Sequence, residues 1–116
     1  MVDNNPLDLE TLAEFKKLVA RFEEKRVRLI IAVSPNYGVL EDHTPTIDFI
    51  RNFTKEHNIP FFIYSNDQEF VSRADFFIDP DHLNREGSIY FTRKLAKEIK
   101  LWLQQTSLSL NHKING

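Results

Sequence analysis

Apolar positions in this chain recur with two periods, and the switching between them predicts its elements. Leu9, Leu12, Phe15, Val19 and Phe22 are spaced by threes and fours, which puts one stripe on an amphipathic helix running to about Lys25. Asn5-Pro6 ahead of it reads as an N-cap followed by a first-turn proline. The run Val27-Arg28-Leu29-Ile30-Ile31-Ala32-Val33 is β-branched and nearly continuous, as suits a strand covered on both faces. Ser34-Pro35-Asn36-Tyr37-Gly38 ends it with turn chemistry, and 39–43 reads as loop. Thr44-Pro45 repeats the cap-and-proline device, and Ile47, Ile50 and Phe53 give a second helical stripe that Asn58 and Pro60 close. Pro60-Phe61-Phe62-Ile63-Tyr64 is a second buried-type strand, ended by Ser65-Asn66-Asp67, with a short helical turn at Phe70 and Val71.

Ala74-Asp75-Phe76-Phe77-Ile78 is a third apolar run, a candidate third strand too short to classify. Asn84 is placed to cap a last helix, with Phe91, Leu95, Ile99 and Trp102 inward and Arg93, Lys94, Lys97 and Lys100 in water. Residues 1–103 read as one α/β domain and 104–116 as a polar, flexible tail. Helices alternating with strands predict a parallel sheet of two or three strands with right-handed crossovers. Ligands of such sheets bind beyond the carboxyl ends of the strands. That places Ser34–Tyr37, Ser65–Asp67 and the Asp79–Asn84 loop on one rim.

Composition removes several chemistries. The 116 residues fit one domain, and 41% hydrophobic with 28% charged residues is a globular mix. The three glycines, Gly38, Gly87 and Gly116, are too far apart for a dinucleotide loop, a P-loop or a G-x-S-x-G elbow. Without cysteine there is no disulfide, thiolate nucleophile or thiolate zinc site. A net charge of −2 argues against nucleic acid as a partner. No apolar run is long enough to span a membrane, and the N-terminus does not read as a signal peptide. As written the chain is expected in the cytoplasm, although a longer parent protein is compatible with export.

The constellation that carries chemistry is Asp79-x-x-His82, with Leu83-Asn84 behind it and Gly87 three residues on. A histidine base needs one ring nitrogen facing a nucleophile and the other held by an acceptor. Asp79 in the same tight loop can supply that acceptor, and Asn84 fixes the loop by capping the helix. The segment from Phe77 to Gly87, followed by Phe91-Thr92 and Leu95, resembles the last block of SGNH/GDSL hydrolases and related acyltransferases. The helix, the strand ending at Ser34-Pro35, the next helix and the strand after Ile59-Pro60 fit as well, so the resemblance spans about 7–102. It implies a flavodoxin-like three-layer α/β/α partial fold in which Asp79 and His82 take the triad's aspartate and histidine roles. It also implies ester hydrolysis or acyl transfer on an acyl ester or acylated carbohydrate, with no cofactor.

The family's G-D-S-like serine block, its oxyanion-hole glycine and its middle-block asparagine have no counterpart here. The chain therefore resembles the C-terminal half of such a domain and is expected to be inactive alone. Ser34 and Asn36 lie on the substrate-side rim with Asn84. Ser34 reads better as a turn residue before Pro35 than as a nucleophile, since no helix or glycine pair presents it. Two alternatives stand beside the esterase reading. One is a non-enzymatic α/β module whose open strand edge binds a second copy or a missing N-terminal segment. The other is a metal-dependent phosphoesterase using Asp79, Asp81 and His82, against which no fourth ligand is near in sequence. His57 at a helix C-terminus reads as structural.

Overall fold

A computed structural model describes residues 8–38 and 44–115. The Asn5-Pro6 cap and the 39–43 loop lie outside the described residues. Helix α1 spans Leu9–Glu24 and is capped by Asp8, whose carboxylate accepts from the backbone N–H of Glu10 and Thr11. Leu12, Phe15, Val19 and Phe22 face inward, Val19 completely, whereas Leu9 is 79% exposed and leaves the stripe. The helix ends without glycine. Arg26 takes the left-handed conformation at φ 55°, and Val27 N–H returns to Phe22 C=O at 2.8 Å.

Strand β1 is Ile31–Val33, the last part of the apolar run. Helix α2, Pro45–Glu56, starts at Thr44, whose hydroxyl accepts from Ile47 N–H at 3.2 Å. It closes at Asn58, which has φ 56°, with Ile59 N–H bonded to Thr54 C=O. Strand β2, Phe61–Ile63, lies parallel to β1, with Ile31 opposite Phe61 and Val33 opposite Ile63. The β1–α2–β2 unit is the parallel crossover that the alternation predicts, and the chain is a small α/β fold.

The third apolar run does not join this sheet. Ala74–Phe76 form one 3₁₀ turn, and β3, Phe77–Asp79, pairs antiparallel with β4, His82–Leu83. Among the described residues the parallel sheet thus has two strands. The physical reason is the connection: only two residues, Pro80 and Asp81, separate Asp79 from His82, and so short a link returns the chain antiparallel. Helix α3, Arg85–Asn115, continues through the segment expected to be a flexible tail. Its stripe of Phe91, Leu95, Ile99 and Trp102 is half-buried.

Aromatic side chains form two clusters. Phe15 packs on Phe49 and Phe53 between α1 and α2, and the His57 ring stacks on Phe53 at 4.2 Å. Phe70, fully buried, meets Phe76, Tyr90 and Phe91 edge-on or tilted, and Phe91 also meets Tyr64. The second cluster seats the N-terminal half of α3 beneath the hairpin. Lys94, expected on the wet face, is half-buried there between Asp67 and Glu69, at 2.6 and 2.8 Å.

Candidate functional site

The Asp79–His82 hairpin is built by its neighbours on both sides. Asp79 and His82 stand opposite each other where the two-residue turn closes, with an irregularity in the ladder between Phe77 and Asp79. Asp79 Oδ1 accepts from Asp81 N–H at 2.9 Å, an Asx turn that holds the carboxylate over its own loop. The same carboxylate faces the imidazole: His82 Nδ1 lies 2.8 Å from Oδ1 and 3.0 Å from Oδ2. Behind the pair, Asn84 Oδ1 accepts from Gly87 N–H at 2.9 Å and Asn84 Nδ2 donates to Asp75 C=O at 2.7 Å. The cap of α3 and the exit from the 3₁₀ turn are therefore tied through one side chain.

The β1 loop is joined to this hairpin. Tyr37 N–H donates to Pro80 C=O at 2.9 Å, and the Tyr37 ring sits 6.1 Å from that of Phe77. Gly38, at φ 88°, takes a conformation that side-chain-bearing residues rarely adopt. Its N–H reaches Val71 C=O at 2.8 Å, while its carbonyl accepts from Nδ2 of the buried Asn36 at 2.6 Å. Asn36 thus shapes the loop from within, and Asn84 does the same for the hairpin. Ser34 is exposed, and no hydrogen bond joins it to His82 among the described residues. Asp67, from the second rim segment, is engaged by Lys94 of α3. Sequence reading placed Ser34–Tyr37 on the rim but missed the Tyr37 backbone bond that joins it to the hairpin. The available signal was the turn chemistry of Ser34-Pro35-Asn36-Tyr37-Gly38.

The pair is open to solvent, with the His82 side chain 73% and that of Asp79 50% exposed. The His82 hydrogen bond, aided by Asp81 N–H, holds the Asp79 carboxyl below the usual carboxylate range. The same bond and the Asp79 charge push the His82 imidazole above its ordinary value. An ionised carboxylate only accepts, so Nδ1 carries the proton. In neutral imidazole that leaves Nε2 as the acceptor, the state a general base needs. Among the described residues no three metal-ligating side chains converge, and the Asp79 carboxylate is taken up by His82 and Asp81 N–H. No described helix is long and apolar enough to cross a membrane. No family model, curated protein or solved structure matches the chain.

Proposed function

We propose that the Asp79–His82 hairpin is the acid–base half of a serine-type ester hydrolase or acyltransferase site of the SGNH/GDSL kind. The observation that carries this reading is the double contact of His82 Nδ1 with the Asp79 carboxylate. Such a contact fixes the ring's tautomer and orientation and stabilises the imidazolium that forms when the ring takes a hydroxyl proton. The sequence supplies no serine block, so the nucleophile and oxyanion donors come from a segment outside these 116 residues. In that reading α1–β1–α2–β2 and α3 are the C-terminal half of a flavodoxin-like α/β/α domain, and the exposed pair is covered when the other half docks. The substrate is an acyl ester or an acylated carbohydrate.

The test compares two proteins with an activated acyl ester. The 116-residue chain is expected to show no acyl-enzyme by mass spectrometry. A product extended by the coding sequence immediately upstream is expected to form one and to turn over, and His82→Ala abolishes this. Turnover by the short chain that His82→Ala removes, or by the long one that His82→Ala spares, overturns the proposal.

One observation favours a second reading, a self-associating module. The β1–β2 register turns the N–H and C=O of Ala32 away from β2, and Ala32 is exposed. An apolar strand with an unpaired edge is a pairing site. Sedimentation equilibrium then gives a concentration-dependent dimer, and a monomer at high concentration rejects this reading.

A further inference from the structure

The residues that lead into β1 and β2 lie at the opposite end of the sheet from the Asp79–His82 hairpin, and there they enclose a cleft of about 350 Å³. Phe22 from α1, Val27 and Leu29 ahead of β1, Ile59 ahead of β2 and Trp102 from α3 give it apolar walls. Two polar groups stand at its mouth. One is the pair His57–Glu23, with Nδ1 and Oε1 2.6 Å apart, which uses the cleft's acidic side chain internally. The other is Arg28, exposed, with its guanidinium 5.5 Å from the centre of the Trp102 ring. No carboxylate among the described residues pairs with Arg28. A cation–π contact with an indole holds a guanidinium in place while leaving its N–H donors available.

These features select a ligand class. The apolar walls call for hydrocarbon, and the volume lies near the lower end of the roughly 300–1,000 Å³ of small-molecule sites, too small for a dinucleotide. A cationic head is repelled by Arg28. A neutral one leaves the guanidinium partly desolvated without a counter-charge. A multiply charged phosphate calls for more than one cation. We propose that the cleft binds a medium-chain monocarboxylate, with its tail against Phe22, Leu29, Ile59 and Trp102 and its carboxylate on Arg28. This site is separate from the Asp79–His82 pair and does not depend on the role assigned to that pair.

Trp102 is the chain's single tryptophan, so its fluorescence reports occupancy of the cleft directly. Titration with decanoate, kept below its micelle concentration, is expected to give a saturable change. The midpoint moves about tenfold to higher concentration in Arg28→Gln, the loss expected for one charge-assisted contact. 1-Decanol binds more weakly than decanoate, and decyltrimethylammonium does not saturate. Thr106→Phe, which narrows the cleft from α3, abolishes the change with the far-ultraviolet circular dichroism retained. Arg28 is exposed and its replacement leaves the core intact, so that variant decides the question even where Thr106→Phe fails to fold. A non-saturable response, an Arg28→Gln midpoint equal to wild type, or decanol binding as tightly as decanoate overturns the proposal.

Discussion

Gly87 approaches Phe76 so closely that a Cβ at position 87 would lie 2.2 Å from the Phe76 carbonyl oxygen and 2.9 Å from the Phe76 Cβ. The obstacle is backbone, which cannot swing aside like the end of a flexible side chain. The same carbonyl accepts from Asn84 N–H at 2.8 Å, so moving it costs a hydrogen bond as well. The glycine that ends the D-x-x-H-L-N-x-x-G block thus has a packing role in this fold: it lets the first turn of α3 close on the 3₁₀ turn that leads into the strand carrying Asp79. Gly87→Ala is expected to lower stability by about 1–3 kcal/mol, the usual cost of overpacking. Chemical denaturation checks this, with a reduced midpoint and an unchanged slope expected.

Asn84 links the same elements by hydrogen bonds. Its side chain caps α3 at Gly87 N–H and holds the Asp75 carbonyl. Asn84→Ala removes both and is expected to cost about 1–2 kcal/mol, the upper range for an N-cap. Asn84→Asp keeps the cap but brings a carboxylate against the Asp75 carbonyl in place of a donor. It is expected to recover only part of the loss. Thermal melts of the two variants beside wild type give the ranking.

The Asp79–His82 pair predicts a titration. Asp79 is shifted down, so its contribution to stability is present above its ordinary value of about 3.9 and fades as pH falls through the lower folded value. His82 is shifted up, so its contribution is full below about 6.5 and fades as pH rises through the higher folded value. Both contributions coexist between those two ordinary values. The His82 ring resonances, followed by NMR, are expected to titrate above the ordinary histidine midpoint. Asp79→Asn is expected to return them toward it, and a midpoint unmoved by that change contradicts the assigned contact. In the proposed site the same shift makes the reaction rate rise with pH through the raised midpoint, since only the neutral ring is a base.

How much of this was legible in the sequence depends on the distance over which each feature is decided. The Thr44-Pro45 cap, the turn at Asn58 and the contact between Asp79 and His82 are set within a few residues, and the sequence reading anticipated all three. The parallel pairing of β1 and β2 was legible too, because two continuous apolar runs flank one amphipathic helix. Lys94 was misplaced because periodicity assigns a charged residue to water. Its partners Asp67 and Glu69 lie some twenty-five residues away in the chain, and its stem runs toward the Phe70 ring. The hairpin was missed because a five-residue apolar run carries no record of its pairing partner. The short D-x-x-H spacing, read as a loop, was the turn of that hairpin.

The last contact to test also crosses a long stretch of sequence. Tyr64, 3% exposed just after β2, donates its phenolic hydrogen to Glu98 of α3 and stacks edge-on with Phe91 at 5.0 Å. Burial and the Glu98 carboxylate both push the phenol's pKa well above its ordinary value, so Tyr64 stays a neutral donor throughout the range in which the protein is handled. Tyr64→Phe preserves the ring packing and removes only the hydroxyl. Glu98 then loses a donor at a half-buried position, at an expected cost of about 1–3 kcal/mol. Glu98→Gln keeps a side chain able to accept from the phenol and is expected to cost less. A double-mutant cycle on Tyr64→Phe and Glu98→Ala, each of which removes the hydrogen bond, separates the pair from the packing around it. A positive coupling energy places the hydrogen bond among the contacts that dock α3 on β2. Strict additivity means that the hydrogen bond adds nothing to the packing of Tyr64 against Phe91.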